Sequence, residues 1–283
     1  MESIKRIAVL YGGSSSEREI SLSSGQGVYA ALCEIGYQCQ LIDYKNLKDL
    51  NELKNYDFVF IALHGFEGEG GELQKDLDDL NILYSGSKSE ACRKTWNKGL
   101  TKKILKANNI DTPSFIELEK FDPEIVRNKI KDASFDLFQP NDNLFLKPNE
   151  DGSSVDIFII HNEDSIKKAY EKCSNPHRSF LIEEYIDGRE ITVTVIGKDC
   201  FPPIEIITNN EFYDYDAKYI SNETLHIEAN LSLSELNDIK LISKKVFDVL
   251  DCKGWARIDF LQDKQGNFYV IEVNTVPGMT EHS

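Results

Sequence analysis

Positive charge is what this sequence has least of. Its 283 residues carry 32 Lys and Arg against 48 Asp and Glu, a net charge of −16 and a pI near 4.8. That balance argues against a generic basic face for nucleic acid or anionic lipid. An anionic ligand would have to be met locally, by a few placed cations. Long apolar runs are absent too, since nothing approaches the roughly 18 residues of a membrane span. Met1-Glu-Ser-Ile-Lys-Arg leads into the short run Ile7-Ala-Val-Leu10, too brief for the core of a secretory signal. A cytoplasmic protein with no membrane or nucleic-acid partner is therefore expected. The six cysteines, Cys33, Cys39, Cys92, Cys173, Cys200 and Cys252, form no C-x-x-C and pair with no His motif. Reduced thiols are expected of them, not a disulfide framework or a zinc site. The pattern G-x-x-x-x-G-K-[ST] is missing, as is a G-x-G-x-x-G opening a helix after a strand. Repeats and low-complexity tracts are missing as well. What remains is an ordinary globular composition, 41% hydrophobic and 28% charged, which excludes disorder.

The hydrophobic pattern alternates strand and helix in the first third. A strand over 4–10 ends at Gly12-Gly13, a helix follows over 21–35, and strands follow at 40–43 and 58–63. Strands alternating with helices at this spacing predict a parallel sheet. A single long helix is predicted over 90–108, closed by Pro113. Further on, strands are expected at 144–147, 156–160, 180–184, 190–196 and 204–208, with helices at 122–133 and 164–173. Ser232-x-x-Glu235 is a capping box, and Leu236, Ile239, Ile242, Val246 and Val249 follow at helical spacing. The expected architecture is a parallel α/β unit followed by two α+β lobes, with a cleft between them.

The segment 255–274 holds the densest chemistry. Alternation puts Trp255, Arg257 and Asp259 on one strand face, and Phe268, Val270, Glu272 and Asn274 on one face of the next strand. A four-residue turn, Lys264-Gln-Gly-Asn267, sets Asp259 opposite Glu272 and Arg257 opposite Asn274. Oxygen ligands without His or Cys suit magnesium; a cross-strand salt bridge of Arg257 on a solvated face is the other reading. Lys147-Pro-Asn-Glu-Asp-Gly-Ser-Ser154 offers an ammonium, backbone N–H groups and two hydroxyls, as a polyphosphate requires, or else forms an ordinary polar turn. Glu17 and His64 both lie where strands of an open parallel sheet end, which is where such sheets bind ligands. Glu17 would receive an ammonium, or would simply be a solvated carboxylate at a helix start. Phe212-Tyr-Asp-Tyr-Asp-Ala-Lys-Tyr219 reads as a lid carrying Lys218 and Tyr219, or as a surface loop.

In order along the chain, these segments resemble the D-alanine–D-alanine ligase family of the ATP-grasp superfamily. The resemblance runs from Leu10-Tyr-Gly-Gly13 and Ser16-Glu-Arg-Glu-Ile-Ser-Leu-Ser-Ser-Gly25 through Ala62-Leu-His-Gly65, Lys147-Pro148 and Gly152-Ser-Ser-Val155. It continues through Phe212-Tyr-Asp-Tyr215 and Ala217-Lys-Tyr219 to Gly254-Trp-Ala-Arg-Ile-Asp259 and Glu272-Val-Asn-Thr-Val-Pro-Gly-Met-Thr280. It implies an open, Rossmann-like parallel sheet over 1–95 (the preATP-grasp unit), then a two-lobed ATP-grasp fold over 96–180 and 181–283.

The activity implied is ATP-dependent joining of two D-alanines through a D-alanyl phosphate, for peptidoglycan precursors. A different carboxylate–amine ligation, or nucleotide binding without turnover, is the alternative. By the same resemblance Lys98, Lys147, Ser154 and Lys218 meet the ATP phosphates, Glu183, Glu184 and Ile186 the adenine, and Glu190 the ribose. Asp259, Glu272 and Asn274 would bind two magnesium or manganese ions. Glu17 would take the first ammonium in a set with Ser153 and Tyr219, and Arg257 with the Gly278 N–H would stabilise the oxyanion. His64 and Ser283 would help hold substrate, and the protein would be a homodimer. Two departures carry expectations of their own. Asp156 stands where the family has glycine and is expected to add negative charge beside the phosphate loop. Trp96-Asn97 replaces Met-Asp before Lys98, so that helix is expected to pack differently.

Overall fold

A computed structural model describes residues 4–133, 143–152, 155–208 and 224–280. The first sheet is built from β1 (Arg6–Tyr11), β2 (Gln38–Asp43) and β3 (Phe58–Ile61), all parallel in the order β2-β1-β3. Its central strand is apolar on both faces because both are covered. Ala8 and Leu10 join one core cluster, Ile7 and Val9 the other. Tyr84 extends the sheet by a parallel bridge to Val59. β1 leaves through Gly12 and Gly13, whose φ angles of 75° and 74° favour glycine, and turns into α1 (Arg18–Glu34). β3 runs into the glycine-rich stretch that forms α2 (Phe66–Glu69) and α3 (Glu72–Asp79).

The long helix expected over 90–108 is two helices, α4 (Ser89–Trp96) and α5 (Lys98–Ala107). Asn97 breaks it. Its backbone is extended and its side chain accepts the Leu100 N–H at 2.8 Å, so it ends one helix and caps the next. Trp96, at the end of α4, packs on Phe66 with ring centroids 6.0 Å apart.

The second sheet is antiparallel: β4 (Phe115–Leu118), β5 (Leu144–Pro148), β6 (Phe158–Ile160) and β7 (Phe180–Glu184), in the order β4-β7-β5-β6. Helices α6 (Pro123–Ala133) and α7 (Glu163–Lys172) cover one face and close a core around Phe121, Val126, Ile166 and Phe180. The third sheet holds β8 (Gly188–Ile196), β9 (Asp199–Cys200), β10 (Ile204–Ile207), β11 (Leu225–Glu228), β12 (Trp255–Asp263) and β13 (Phe268–Asn274). Its order is β11-β10-β8-β12-β13, with β9 paired to β8. Helix α8 (Leu233–Val249) lies against it, its start fixed by the reciprocal Ser232–Glu235 capping box and its Ile239, Val246 and Phe247 buried in the core.

The hairpin of β12 and β13 has the expected partners but not the expected faces. Arg257 lies opposite Asn274 and Asp259 opposite Glu272. The turn, however, is one residue longer than predicted, since Gln262 rather than Asp263 is opposite Phe268. A bulge at Ile271 then restores the register before Glu272. It also flips the strand: Phe268, Val270 and Val273 face the core, while Glu272 and Asn274 face away from it. The four residues therefore do not share a face. Two deviations from regularity cancel in register and leave both carboxylates together.

Candidate active site

A cavity of about 480 Å³ opens where the three sheets meet. Glu17, His64 and Glu69 reach it from the first sheet; Lys98, Lys147 and Glu183 from α5, β5 and β7; Glu190, Arg257 and Glu272 from the third. Glu184, Ile186, Asn274 and Gly278 also line it. Every described residue given a catalytic, binding or metal role in the sequence therefore lies on this cavity except Asp259, which is bound to Arg257. Ser153, Ser154, Lys218, Tyr219 and Ser283 lie outside the described residues.

At one end the segment after β5 is held on α5. Lys98 Nζ donates to the Asp151 carbonyl at 2.6 Å, the Lys98 N–H donates to the Asn149 carbonyl at 3.0 Å, and the Gly99 N–H to Asn149 Oδ1 at 2.7 Å. Lys147 Nζ lies 2.8 Å from Glu183 Oε2, and Lys102, buried on α5, lies 3.2 Å from Oε1. Burial alone would raise the Glu183 pKa, but the two ammonium charges override it and hold the carboxyl below its ordinary range. Burial pushes Lys102 down to about 8, with Glu183 opposing the shift. Glu184 and Glu190, also on the cavity, belong to strands of two different sheets; Glu184 accepts the Ser114 N–H at 3.2 Å.

Asp156 does not stand free here. It sits at φ 56°, and its carboxylate is taken by Arg178, by the Ser174 N–H at 3.0 Å and by the Ser174 hydroxyl at 2.6 Å. Burial raises its pKa, but those hydrogen bonds and the guanidinium leave it lowered. Arg178 also binds Asp151, so one guanidinium is shared by the two carboxylates.

At the other end Glu17 is buried, not solvated, and makes no cap bond to α1 although it is the residue before the helix. A Cβ on Gly152 would fall 2.7 Å from Glu17 Oε2, so a larger residue there would push the carboxylate aside. Glu69 stands close by and accepts the Gly65 N–H at 3.2 Å. Burial, and then the charge of Glu17, push Glu69 well above the usual carboxyl range. His64 is 4% exposed, with both ring nitrogens engaged. Nδ1 lies 3.0 Å from the Val276 carbonyl and must donate to it; Nε2, 2.9 Å from Ser24 Oγ, then accepts. Ser24 Oγ in turn accepts the Met279 N–H at 3.0 Å. His64 thus ties the first sheet to the segment 276–279 that carries Gly278. Burial lowers its pKa to about 4.

On the third sheet Arg257 makes two bonds of 2.9 Å to the Asp259 carboxylate. Thr192 Oγ1 donates to it at 2.7 Å and the Asn274 amide at 3.0 Å. Asp259, Glu272 and Asn274 supply oxygen alone. Among the described residues no group of three or more His, Cys, Asp and Glu is arranged to enclose a metal. That composition fits magnesium, which takes one or two carboxylates and completes its shell with phosphate and water. Glu272 and Asn274 face the cavity directly, while Asp259 would have to share its oxygens with Arg257.

The comparisons decide the family. The model described as "D-ala D-ala ligase C-terminus" matches residues 104–283. The D-alanine--D-alanine ligase of Saccharophagus degradans is 39% identical over 282 residues, 98% of this chain and 86% of that protein. The chain belongs to the D-alanine–D-alanine ligase family. The solved Bacillus anthracis ligase complexed with ATP is similar at a TM-score of 0.81 and 31% identity, covering 99% of this chain and 89% of its own. Vibrio cholerae D-alanyl-alanine synthetase A is similar at 0.84 and 27%, covering 99% and 91%. The fold is thus an ATP-grasp, with the parallel sheet in front of two antiparallel ones.

Within this family member, reading the sequence alone misses Glu69, Lys102, Ser24 and Thr192. Glu69 had a signal, an acid inside the glycine-rich stretch that follows β3. The other three are ordinary helix and strand residues whose roles come from what packs against them.

Proposed function

We propose that this chain is an ATP-dependent D-alanine–D-alanine ligase. The γ-phosphoryl group passes from ATP to the carboxylate of the first D-alanine, giving an acyl phosphate and ADP. The amine of the second D-alanine then attacks the acyl carbon, and phosphate leaves the tetrahedral intermediate. The observation that carries this reading is the single cavity into which one sheet sends a carboxylate pair, the second a lysine–glutamate cluster, and the third an arginine beside oxygen ligands.

Each end then has a task. Glu17 receives the ammonium of the first D-alanine, and Glu69, whose protonated form its site favours, leaves room for one net negative charge beside it. Lys98 and Lys147 take the phosphates; Glu183, Glu184 and Ile186 meet the adenine and Glu190 the ribose. Phosphoryl transfer asks mainly for positioning and charge neutralisation, which these groups supply. Asp259, Glu272 and Asn274 would hold two magnesium ions, which when bound would offset charge on the phosphate oxygens. Arg257, fixed by Asp259, and the Gly278 N–H stabilise the negative charge that develops on the tetrahedral oxygen. His64 holds the 276–279 segment in place. The chain is read as lobes over 1–95, 96–180 and 181–283 of a cytoplasmic homodimer, with β7 of the second sheet crossing the last boundary.

The test supplies D-alanine, ATP and Mg²⁺ to the purified chain and follows dipeptide, ADP and phosphate together. The expected result is the three products in equal amounts. Turnover with other amino acids only would assign a different carboxylate–amine ligation, and ATP binding with no turnover would overturn the proposal.

A further inference from the structure

Lys102 is the most deeply buried ammonium among the described residues, 1% exposed, and neither phosphate nor amino-acid chemistry calls for it. It occupies a junction of three elements. From α5 its Nζ reaches Thr112 Oγ1 at 2.7 Å, and that hydroxyl donates to the Val270 carbonyl of β13 at 2.7 Å. On the other side lies Glu183 of β7, 3.2 Å away. Glu183 therefore carries two ammonium groups on one carboxylate, Lys147 at the cavity and Lys102 behind it. Its buried Oε1 faces the Lys102 ammonium at 3.2 Å without a well-aligned hydrogen bond, which leaves it lone-pair capacity for a further donor. Phe145, Ile186 and Leu261 line the same cavity, giving apolar walls near Glu183, with Glu184 and Glu190 also on the lining. Such walls suit a flat base that presents an amino group.

We infer that Lys102 is a positioning residue for nucleotide selection: it keeps Glu183 ionised as an acceptor, so that a base with an exocyclic amino group is taken and one with a keto group refused. The inference rests on the reading that Glu183 meets the base. When a polyphosphate draws Lys147 towards it, Lys102 is the counter-charge that stays. Without it a carboxylate this deeply buried would take up a proton. A protonated carboxyl can donate to a keto oxygen, and the two bases would then be bound alike.

The test measures binding of ATP and of inosine triphosphate, each with Mg²⁺, by calorimetry on the full chain, with no need for turnover. A site built to bond an amino group should prefer ATP by about 100-fold or more. Lys102→Met, similar in length and uncharged, is expected to cut that ratio by about tenfold or more, as a lost hydrogen-bond preference would. Lys102→Gln, which keeps a donor for Thr112 but no charge, is the second variant should methionine prevent folding, and the same fall is expected. Equal weakening of both nucleotides, with the ratio kept, would make Lys102 a support of the fold only and overturn the inference. A wild-type chain that binds both nucleotides equally would overturn the reading of Glu183 itself. Neither result bears on whether the chain ligates D-alanine.

Discussion

Acidification should unlatch His64. In the fold its imidazole is neutral, donating through Nδ1 to Val276 and accepting through Nε2 from Ser24. Burial holds its pKa near 4 against about 6.5 in an unfolded chain. The unfolded state therefore binds the proton first. Stability from this group is complete above about pH 6.5, falls as the pH drops, and stops falling below about 4. The full difference of about 2.5 units corresponds to about 3.4 kcal/mol, of which about 2 kcal/mol is lost between pH 7 and pH 5. Urea denaturation at pH 7, 6 and 5 measures it, with His64→Gln as reference. Glutamine supplies a donor and an acceptor but no titration, and the other acids, Glu69 included, titrate in both proteins. The wild type should lose about 2 kcal/mol more than the variant over that range. Because the latch holds the 276–279 segment, the KM for D-alanine should rise over the same range in the wild type alone. Equal losses, within about 0.5 kcal/mol, would refute the neutral buried imidazole and the latch together.

Three substitutions probe the rest of the cavity. Gly152→Ala places a Cβ 2.7 Å from Glu17 Oε2, so the KM for the first D-alanine should rise about tenfold while the ATP dissociation constant moves less than about threefold; steady-state kinetics beside calorimetry separates the two. Arg257→Ala should lower kcat about 100- to 1,000-fold with ATP binding nearly unchanged. A thermal melt should also fall, since Asp259, 3% exposed, loses its bidentate cation. Glu272→Gln should raise the magnesium needed for half-maximal turnover by about tenfold, and an unchanged magnesium titration would remove Glu272 from the metal set.

What the sequence made legible is what depends on local periodicity. The continuous apolar run of β1 announced a strand covered on both faces, and the Ser232–Glu235 pair announced the start of α8 to the residue. The break at Asn97 was not legible, because the apolar spacing of 90–108 continues across it and only the extended backbone of Asn97 makes it a cap. Asp156 was read only in part, for a related reason. Its charge was visible, but its partners, Arg178 and Ser174, lie more than a helix away in sequence and meet it only through the fold. The bulge at Ile271 left no mark at all, since an isoleucine in an apolar strand looks the same bulged or regular.

The net charge of −16 takes on a different meaning once the cavity is seen. Its cations do not stand as an open basic patch: Lys147 and Lys102 share Glu183, and Arg257 is clasped by Asp259. A pair of this kind attracts free anions weakly, because its carboxylate already cancels most of the field. What the pairing secures is place. Each cation is held on a rigid strand or helix in a fixed direction, and preorganised charge of that sort stabilises a charge that appears during reaction without rearranging to meet it. On the proposed reading the acidic members are equally part of the arrangement, since Glu272 and Asp259 would attract the divalent cation with which a nucleotide travels. An acidic chain can therefore serve a polyphosphate by binding it as a metal complex and keeping its own few cations for particular atoms.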